Sequence, residues 1–206
     1  MNKNKKSILI GLTLGDGYIR KKKNDKRWNS TSYYIVFTHG IKQREYLEHK
    51  ASLVNSLLGG KQNSVKIKNN NGYIGCTYSK ASKDLKYVYN LLYKNGEKRI
   101  TKNVLKHLNA EGIAYWYMDD GSIYPQKRNG KIHAYSLVLS TYCDTEEEVR
   151  EIIEYFIEKW GVRFNIKRNK GKYSITCNTK EIRKFIPIVK PYVNKIECMK
   201  YKICDI

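Results

Sequence analysis

Two long apolar stretches of the chain end in the same way and lie about half a chain apart. Residues 8–15 (ILIGLTLG) lead into Asp-Gly at 16–17, and residues 113–118 (IAYWYM) lead into Asp-Asp-Gly at 119–121. Both stretches are apolar nearly all round, which predicts helices that are buried on most sides. The equivalent aspartates, Asp16 and Asp120, are 104 positions apart. This repetition predicts an internal duplication.

An amphipathic helix is predicted next in each half, after a short strand-like segment. Residues 36–38 (VFT) precede a helix over residues 42–58, and residues 138–140 (VLS) precede its counterpart. The counterpart begins with Thr145 as a candidate N-cap and Glu148 at the capping-box position. Its apolar residues recur every three or four positions, which is typical of a helix packed on a core.

Two alternating strands and a third helix complete each half. The strands are residues 64–68 and 73–78 in the first half and residues 163–167 and 172–177 in the second. The third helices align through Leu85, Val88, Tyr89 and Leu92 in one half and Ile182, Phe185, Ile186 and Val189 in the other. Ser82 and Thr179 are the predicted N-caps of these helices.

Each half therefore follows the order helix, strand, strand, helix, strand, strand, helix. This order predicts an α+β fold of two pseudo-symmetric αββαββα halves. We place the first half at residues 1–93, the linker at residues 94–109 and the second half at residues 110–206.

Gly11 and Gly15 lie four residues apart, on one face of the first apolar helix. Glycine costs a helix about 1 kcal/mol relative to alanine, and the close approach of another backbone would offset this cost. The natural partner is the apolar helix of the other half, in which Ala114 is also small. We therefore predict that the two helices pack at the centre of the molecule, with Asp16 and Asp120 as neighbours at their ends.

Two neighbouring carboxylates at helix C-termini repel each other and the negative end of the helix dipole. A divalent cation would relieve this repulsion, and Mg²⁺ suits a site of oxygen ligands with few protein donors. Carboxylate-bound metals activate water and stabilise the leaving oxygen in phosphodiester hydrolysis. Asp16 and Asp120 are therefore candidate ligands of Mg²⁺, and we expect Mn²⁺ or Ca²⁺ to replace it for binding.

The composition favours a polyanionic partner. The 206-residue chain carries 40 Lys and Arg against 19 Asp and Glu, a formal net charge of +21. Such a charge indicates nucleic acid first and a membrane surface second. The sequence contains no basic amphipathic helix with a large apolar face, so it does not favour binding to a membrane surface. Ribosomal proteins share this charge balance, so charge alone does not select a function.

The cysteines and the first apolar stretch bear on the location of the protein. Five cysteines, an odd number without a CxxC pair, indicate unpaired thiols and an intracellular, reducing compartment. No signal peptide is expected, because no small-residue cleavage site follows residues 8–15, and this stretch is too short to span a membrane. Frequent Lys, Asn, Ile and Tyr suit AT-rich coding DNA, so we expect phage or bacterial cytoplasm or an organelle.

The two motifs resemble the signature of the LAGLIDADG homing endonucleases. Residues 9–17 (LIGLTLGDG) fit the nine-residue motif along its length, with Asp16 at the final acidic position. In this first motif, Leu14 occupies a position at which the motif name has an acidic residue. Residues 113–121 (IAYWYMDDG) fit the motif more loosely. The resemblance covers nearly the whole chain, because both halves follow the family's order of elements. It is closest to the single-chain, two-motif type that introns encode.

The resemblance implies a monomer with pseudo-twofold symmetry that makes a double-strand break in double-stranded DNA at a long, asymmetric site. Each half would form a curved antiparallel sheet, and the two sheets would make a saddle over the DNA. By position in the motifs, the metal site would consist of Asp16, Asp120, Gly15 and Asp119, the last two through backbone carbonyls. The catalytic lysines would be Lys98, in "EKRI", and Lys202, in "MKYKI".

Alternation along the strands divides each sheet into a helix-facing and a DNA-facing side. The helix-facing residues in the first half are Ile19, Ile35, Phe37, Val65 and Ile67. The DNA-binding candidates are Tyr18, Arg20, Lys22, Tyr34, Lys66, Lys68, Ser122, Tyr124, Gln126, Ser140, Arg163, Asn165, Lys167, Ser174 and Thr176. A strand of ten residues reaches about 33 Å, close to one turn of B-DNA, so two sheets would cover about two turns.

Other functions fit the sequence less well. An RNA maturase that assists the splicing of its own intron on the same fold is the main alternative, with intron RNA as its partner. A non-catalytic DNA-binding module is a second. The tetrapeptide YMDD at residues 117–120 also occurs in reverse transcriptases, but there it lies in a hairpin, whereas a helix is predicted here. The four histidines show no metal-ligand spacing, which argues against a zinc nuclease.

Overall fold

Two four-stranded antiparallel sheets, one in each half of the chain, form the framework of the computed structural model. The structure describes residues 1–23, 31–60, 66–67, 73–77 and 82–203. The order of helices and strands in each half agrees with the order that the sequence pattern predicts.

In its described residues, the first half contains three α-helices and four strands. They are α1 (Lys3–Leu14), β1 (Tyr18–Lys23), β2 (Thr31–Gly40), α2 (Arg44–Leu58), β3 (Lys66–Ile67), β4 (Tyr73–Thr77) and α3 (Lys83–Leu92). The strand order in the sheet is β1-β2-β4-β3. A 3-10 turn, Ile41–Gln43, leads from β2 into α2.

The region between the halves has secondary structure of its own. Strands β5 (Tyr93–Lys94) and β6 (Glu97–Lys98) form a small hairpin, and helix α4 (Lys102–Leu105) follows it. Asn95 and Gly96 take positive φ angles in the tight turn of this hairpin. The predicted boundary after residue 93 falls inside the hairpin, and the division into domains remains a prediction.

The second half repeats the first. It contains α5 (Ala110–Asp120), β7 (Gly121–Arg128), β8 (Lys131–Cys143), α6 (Glu146–Trp160), β9 (Asn165–Asn169), β10 (Lys172–Asn178) and α7 (Thr179–Val193). The strand order is β7-β8-β10-β9, which is the order of the first sheet. A 3-10 turn, Glu197–Lys202, follows α7. The predicted α+β fold and the internal duplication are therefore confirmed.

The caps of the helices agree with the sequence except at α7. Thr145 and Glu148 form the predicted capping box of α6, and the Ser82 side chain accepts a hydrogen bond from Asp84 N at the start of α3. The prediction for Thr179 is wrong, because Asn178 caps α7 by accepting from Glu181 N. The Thr179 hydroxyl instead exchanges two hydrogen bonds with the Tyr135 backbone.

The two apolar helices pack against each other at the centre, as predicted. A Cβ atom added to Gly11 would lie 2.0 Å from Gly112 O, so the two backbones meet where each has a glycine. The small residue at this contact is Gly112, and not Ala114. Residues 7–14 of α1 and residues 112–118 of α5 are buried. Although both helices are apolar, no helix in the described residues is long and apolar enough to cross a membrane.

Candidate active site and nucleic-acid face

The packing of α1 against α5 brings the two motif ends together at one cleft. The cleft has a volume of about 370 Å³ and is lined by Leu14, Gly15, Asp16, Lys98, Ile100, Asp120, Thr141 and Tyr142. Gly15, Asp16, Lys98 and Asp120, all singled out in the sequence, therefore share one cavity, although Asp16 and Asp120 are 104 positions apart along the chain. This proximity is what two carboxylates need if they are to bind cations jointly.

The carboxyl groups in the cleft are unusually hard to ionise. Burial raises the pKa of Asp120 to about 8, and the negative charges of Asp119 and Asp16 add to this effect. Burial and the charge of Asp119 also raise the pKa of Asp16. Crowded carboxylates of this kind bind either a proton or a metal cation. The donor set therefore fits a divalent cation.

The two predicted lysines approach the backbone of the motif ends in similar ways. Lys98 Nζ donates to Gly15 O at 3.0 Å. Lys202 Nζ donates to Gly121 O at 2.6 Å and lies 3.5 Å from Asp119 O. Burial lowers the pKa of both ammonium groups. Each lysine thus lies at the end of one motif, and its catalytic role remains a prediction.

Asp119 differs from the other two acids because its carboxylate is already engaged. Lys50 Nζ donates to its two oxygens at 2.6 and 2.8 Å, and both side chains are fully buried. Asp16 N donates to Asp119 Oδ2 at 2.9 Å. A Cβ atom added to Gly15 would lie 2.2 Å from the same oxygen, so only glycine leaves room for it. The backbone carbonyl of Asp119, which is its predicted metal ligand, lies 3.5 Å from Lys202 Nζ.

His39 joins this group from strand β2. Asp16, His39 and Asp119 have ligand-type atoms within 4.8 Å of one another, a grouping consistent with the use of a divalent metal, although Lys50 holds the Asp119 carboxylate and His39 Nε2. Lys50 Nζ donates to His39 Nε2 at 3.0 Å, so the other ring nitrogen carries the proton. That nitrogen, Nδ1, lies 3.2 Å from Gln43 Oε1 and 3.6 Å from Asp16 Oδ2. The proton on His39 Nδ1 is therefore donated to Gln43 Oε1, and the Asp16 carboxylate lies beside this hydrogen bond.

The sequence analysis did not identify Lys50 or His39 as site residues. Of the two, only Lys50 could have been found from the sequence pattern. Helix α2 buries Tyr46, Leu47, Lys50 and Val54, which recur at helical spacing. A lysine within an apolar stripe indicates a buried partner of opposite charge. Burial, followed by the charge of Lys50, lowers the pKa of His39 to about 4, so the imidazole is neutral at pH 7.

The first sheet presents the predicted polar face. Tyr18, Arg20 and Lys22 are exposed on β1, and their partners on β2 are Val36, Tyr34 and Ser32. The alternate residues Ile19, Ile35 and Phe37 are buried against the helices, as predicted. Lys66 pairs with Gly75 at the far side of the sheet. Val65 and Lys68 lie outside the described residues, and for Ile67 only the pairing with Ile74 is described.

The second sheet presents a comparable face. Tyr124 and Gln126 are exposed on β7, and Ser122 and Ser140 are half-buried. Ser122 Oγ lies 2.6 Å from Tyr124 OH, and Lys167 Nζ lies 5.8 Å from the Tyr124 ring centroid. On β9, Asn165 and Lys167 are exposed opposite Thr176 and Ser174. Thr176 is half-buried and donates to Leu137 O.

Two residues predicted to lie on the DNA-facing side of the second sheet, Arg163 and Ser174, are placed differently in the structure. Arg163 lies before β9, which begins at Asn165, because its backbone N–H donates to Glu181 Oε2 and not to a strand. Ser174 is only 7% exposed. The register between β10 and β8 shifts beside it, where β8 accommodates extra residues and Tyr142 takes φ 51°. Strand alternation is interrupted at this point, so the prediction of an open position for Ser174 is wrong.

The tip of the β7–β8 hairpin extends this face with basic residues that the sequence pattern did not single out. Lys127, Arg128 and Lys131 are exposed around the turn at Asn129 and Gly130, both of which take positive φ angles. The Asn-Gly pair is a strong hairpin signal and was available in the sequence.

Comparison with known proteins agrees with the geometry of the motifs. A family model described as "LAGLIDADG DNA endonuclease family" matches residues 6–185. A "Probable intron-encoded endonuclease 1" of Wickerhamomyces canadensis is 30% identical over 98% of this chain and 85% of its own length. The "Cytochrome b mRNA maturase bI2" of Saccharomyces cerevisiae is 28% identical over 98% of this chain and 48% of its own length.

Solved structures show the same fold. "The homing endonuclease I-WcaI bound to its DNA recognition sequence" superposes with a TM-score of 0.78, at 28% identity, over 100% of this chain and 88% of that one. "The crystal structure of I-DmoI in complex with DNA and Mn" has a TM-score of 0.56 at 16% identity, over 91% of this chain and 96% of that one.

Proposed function

Since the chain belongs to the LAGLIDADG DNA endonuclease family, we propose that it is a homing endonuclease that makes a site-specific double-strand break in DNA. One observation carries this proposal within the molecule. Asp16, two residues after α1, and Asp120, the last residue of α5, lie in one cleft with Lys98. Exposed basic and polar residues follow the strands on both sides of that cleft. The cleft therefore lies where two sheets could hold a duplex across it.

The reaction would depend on divalent cations, of which we propose Mg²⁺. The carboxylates of Asp16 and Asp120 would hold it, with the backbone carbonyls of Gly15 and Asp119 close by. A cation held in this way supplies an activated water and stabilises the leaving oxygen of the phosphodiester. The raised pKa of Asp120 supports the proposal, because a cation in place of the proton would relieve the same crowding. The manganese complex of I-DmoI supports divalent chemistry on this fold.

The protein's own groups would stabilise the developing charge. Lys98 and Lys202 each carry an ammonium group at one motif end, where it could donate to a non-bridging phosphate oxygen. Each ammonium group now donates to a neutral backbone carbonyl. A hydrogen bond to an anionic phosphate oxygen would be stronger. The Lys50–Asp119 pair would keep Asp16 in place through its backbone N–H.

The DNA target would be long and asymmetric. Strand β2 has ten residues and reaches about 33 Å, so each sheet could follow about one turn of the duplex. The two faces carry different side chains, with Arg20 and Lys22 on one and Gln126 and Asn165 on the other. Arg, Gln and Asn can read base edges, whereas lysines mostly contact phosphates. We propose that the protein acts as a monomer, because both motif ends come from one chain.

A cleavage selection tests the proposal. Purified protein is incubated with fragmented host DNA or an intron-less target allele, once with Mg²⁺ and once with EDTA, and the new ends are sequenced. The Asp120→Asn protein runs in parallel. We expect metal-dependent double-strand breaks at one long site, absent from the EDTA and Asp120→Asn samples. Breaks that persist in EDTA would contradict the metal-dependent mechanism.

RNA maturase activity is the second candidate. The similarity to the yeast maturase over 98% of this chain favours it, although the chain spans only 48% of that protein. A maturase would bind its own intron RNA tightly and accelerate splicing in a purified system. If the protein does so while cutting no DNA, the maturase assignment replaces the endonuclease.

We also propose that the protein works in a reducing compartment. Cys143, Cys177 and Cys198 have no disulfide partner among the described residues. Burial raises the pKa of the Cys143 and Cys177 thiols, to about 11 and about 12, which makes both unreactive. Equal stability with and without dithiothreitol would support this.

A further inference from the structure

The segment that carries Lys98 is held by the other half of the molecule. Arg99, the next residue, donates from Nη1 to Asp144 Oδ2 at 2.5 Å and lies 3.3 Å from Glu148 Oε1. Asp144 and Glu148 are at the beginning of α6, in the second half. Asp144 is also ion-paired with Lys172, so the Arg99 contact belongs to a small charged network. We name Arg99, Asp144 and Glu148 the first clamp.

The segment that carries Lys202 is held by the first half. The Glu45 carboxylate accepts hydrogen bonds from Glu197 N at 2.9 Å and Cys198 N at 3.0 Å, the first amides of the 3-10 turn Glu197–Lys202. Gln43 Nε2 donates to Tyr201 OH at 3.1 Å, one residue before Lys202. We name Glu45 and Gln43 the second clamp.

The two clamps are related by the duplication of the chain. Gln43 is the N-cap residue of α2 and Thr145 is the N-cap residue of α6, and these helices are equivalent in the two halves. In each clamp, side chains at the start of one helix hold the segment that follows the third helix of the other half. The arrangement is therefore reciprocal, although the contacting side chains differ.

We propose that the first clamp positions Lys98 and the second clamp positions Lys202, so that each half of the protein holds the lysine of the other half. This inference rests on the proposed endonuclease function. A lysine side chain has four rotatable bonds, and its ammonium reaches a defined place only if its backbone is fixed. In Glu45→Gln, one of the two first amides of the turn loses its acceptor. The backbone of Lys202 is then held less firmly, because the hydrogen bond that Lys202 O accepts from Tyr117 OH anchors it from the other side alone.

The clamps would affect the two DNA strands differently. Lys98 contacts the first motif through Gly15 O, and Lys202 contacts the second through Gly121 O. If each lysine serves one scissile phosphate, loss of a clamp slows the cleavage of one strand. The other strand is cut at its usual rate, and nicked DNA accumulates.

Strand-resolved kinetics test this inference. A target duplex labelled differently on each strand is cut in single-turnover conditions by the wild type, Glu45→Gln and Arg99→Met, and Asp144→Asn serves as a second disruption of the first clamp. Glu48→Gln is the matched control, because Glu48 is exposed on the same helix as Glu45 and forms an i,i+4 ion pair with Arg44. We expect each clamp variant to cut one strand about tenfold more slowly, as misplaced catalytic groups do. Glu45→Gln and Arg99→Met should affect opposite strands, with DNA affinity within about twofold of the wild type.

Equal slowing of both strands, no slowing, or a loss explained by weaker DNA binding would overturn the inference. Amide hydrogen exchange gives a readout that does not need cleavage. Exchange in residues 197–202 should rise in Glu45→Gln and remain unchanged near Lys98, with the reverse in Arg99→Met. If the wild type cuts no DNA, the proposed function fails. If the wild type cuts DNA but exchange in residues 197–202 is unchanged in Glu45→Gln, only the clamps fail.

Discussion

Lys50 and Asp119 form an ion pair with a shortest N–O distance of 2.6 Å in which both side chains are fully excluded from solvent. Lys50 lies on α2 in the first half, and Asp119 lies near the end of α5 in the second. The pair therefore joins the two halves beside the cleft. Because Asp119 also accepts a hydrogen bond from Asp16 N, the pair fixes the backbone of the opposite motif.

Breaking this pair from one side should be costly. Lys50→Met leaves the Asp119 carboxylate buried without its cation, and we expect a loss of about 3–5 kcal/mol in the free energy of unfolding, measured by urea denaturation. The double variant Lys50→Met with Asp119→Asn should recover a large part of this loss. A double variant with the sum of both single losses would contradict the account of the pair.

The contact between the central helices predicts a steric effect at Gly11. In Gly11→Ala, the new methyl group would lie 2.0 Å from Gly112 O, a backbone atom that cannot move alone. We expect the helices to separate and the free energy of unfolding to fall by about 1–3 kcal/mol or more. Gly40→Ala is the control, since an added Cβ meets nothing within 4 Å there. Equal denaturation midpoints for the two variants would refute the close contact.

The raised pKa of Asp120 predicts how stability depends on pH when no metal is bound. The folded protein keeps this carboxyl protonated up to about pH 8, whereas the unfolded chain ionises it near its ordinary pKa of 3.8. The contribution of Asp120 to stability is therefore present below pH 4 and is lost as pH rises to about 8. In EDTA at pH 8, Asp120→Asn should have a higher melting temperature than the wild type. A lower melting temperature would contradict the assignment.

The polar face of the first sheet predicts a salt-dependent contribution to DNA binding. Arg20→Gln should weaken binding and, if Arg20 contacts a phosphate, lower the slope of log K against log salt by about 1. Arg183→Gln is the control, because Arg183 is exposed on α7 and outside the sheets. Fluorescence anisotropy over a range of NaCl concentrations measures the affinity for DNA and its salt dependence for each variant. An equal effect of the two substitutions would mean that charge alone, and not the face, determines binding.

Much of the fold could be predicted because the chain repeats itself. Two apolar helices that end in Asp-Gly, with matching strands and helices behind them, gave the αββαββα order and the proximity of Asp16 and Asp120. The errors arose where local patterns do not decide the structure. Asn178 competes with Thr179 for the cap, Glu181 holds the backbone of Arg163, and a register shift beside Ser174 interrupts the alternation.

The contacts between the halves could not be predicted in the same way. Lys50 is one of 40 basic residues, and its partner Asp119 lies 69 positions away along the chain. The clamps join segments 45 to 158 positions apart, and different side chains make the contacts in the two halves. Such contacts follow from the way the two halves dock, which no local pattern encodes.

Asp16 and Asp120 are both needed for DNA cleavage in the proposed mechanism. The decisive measurement is the rate of double-strand cleavage in Mg²⁺ by the wild type, Asp16→Asn and Asp120→Asn on one target. We expect both variants to bind the target about as tightly as the wild type and to cut it at least about a hundredfold more slowly, since each removes a carboxylate from the metal site. Cleavage at the wild-type rate by either variant would contradict the role of these two carboxylates.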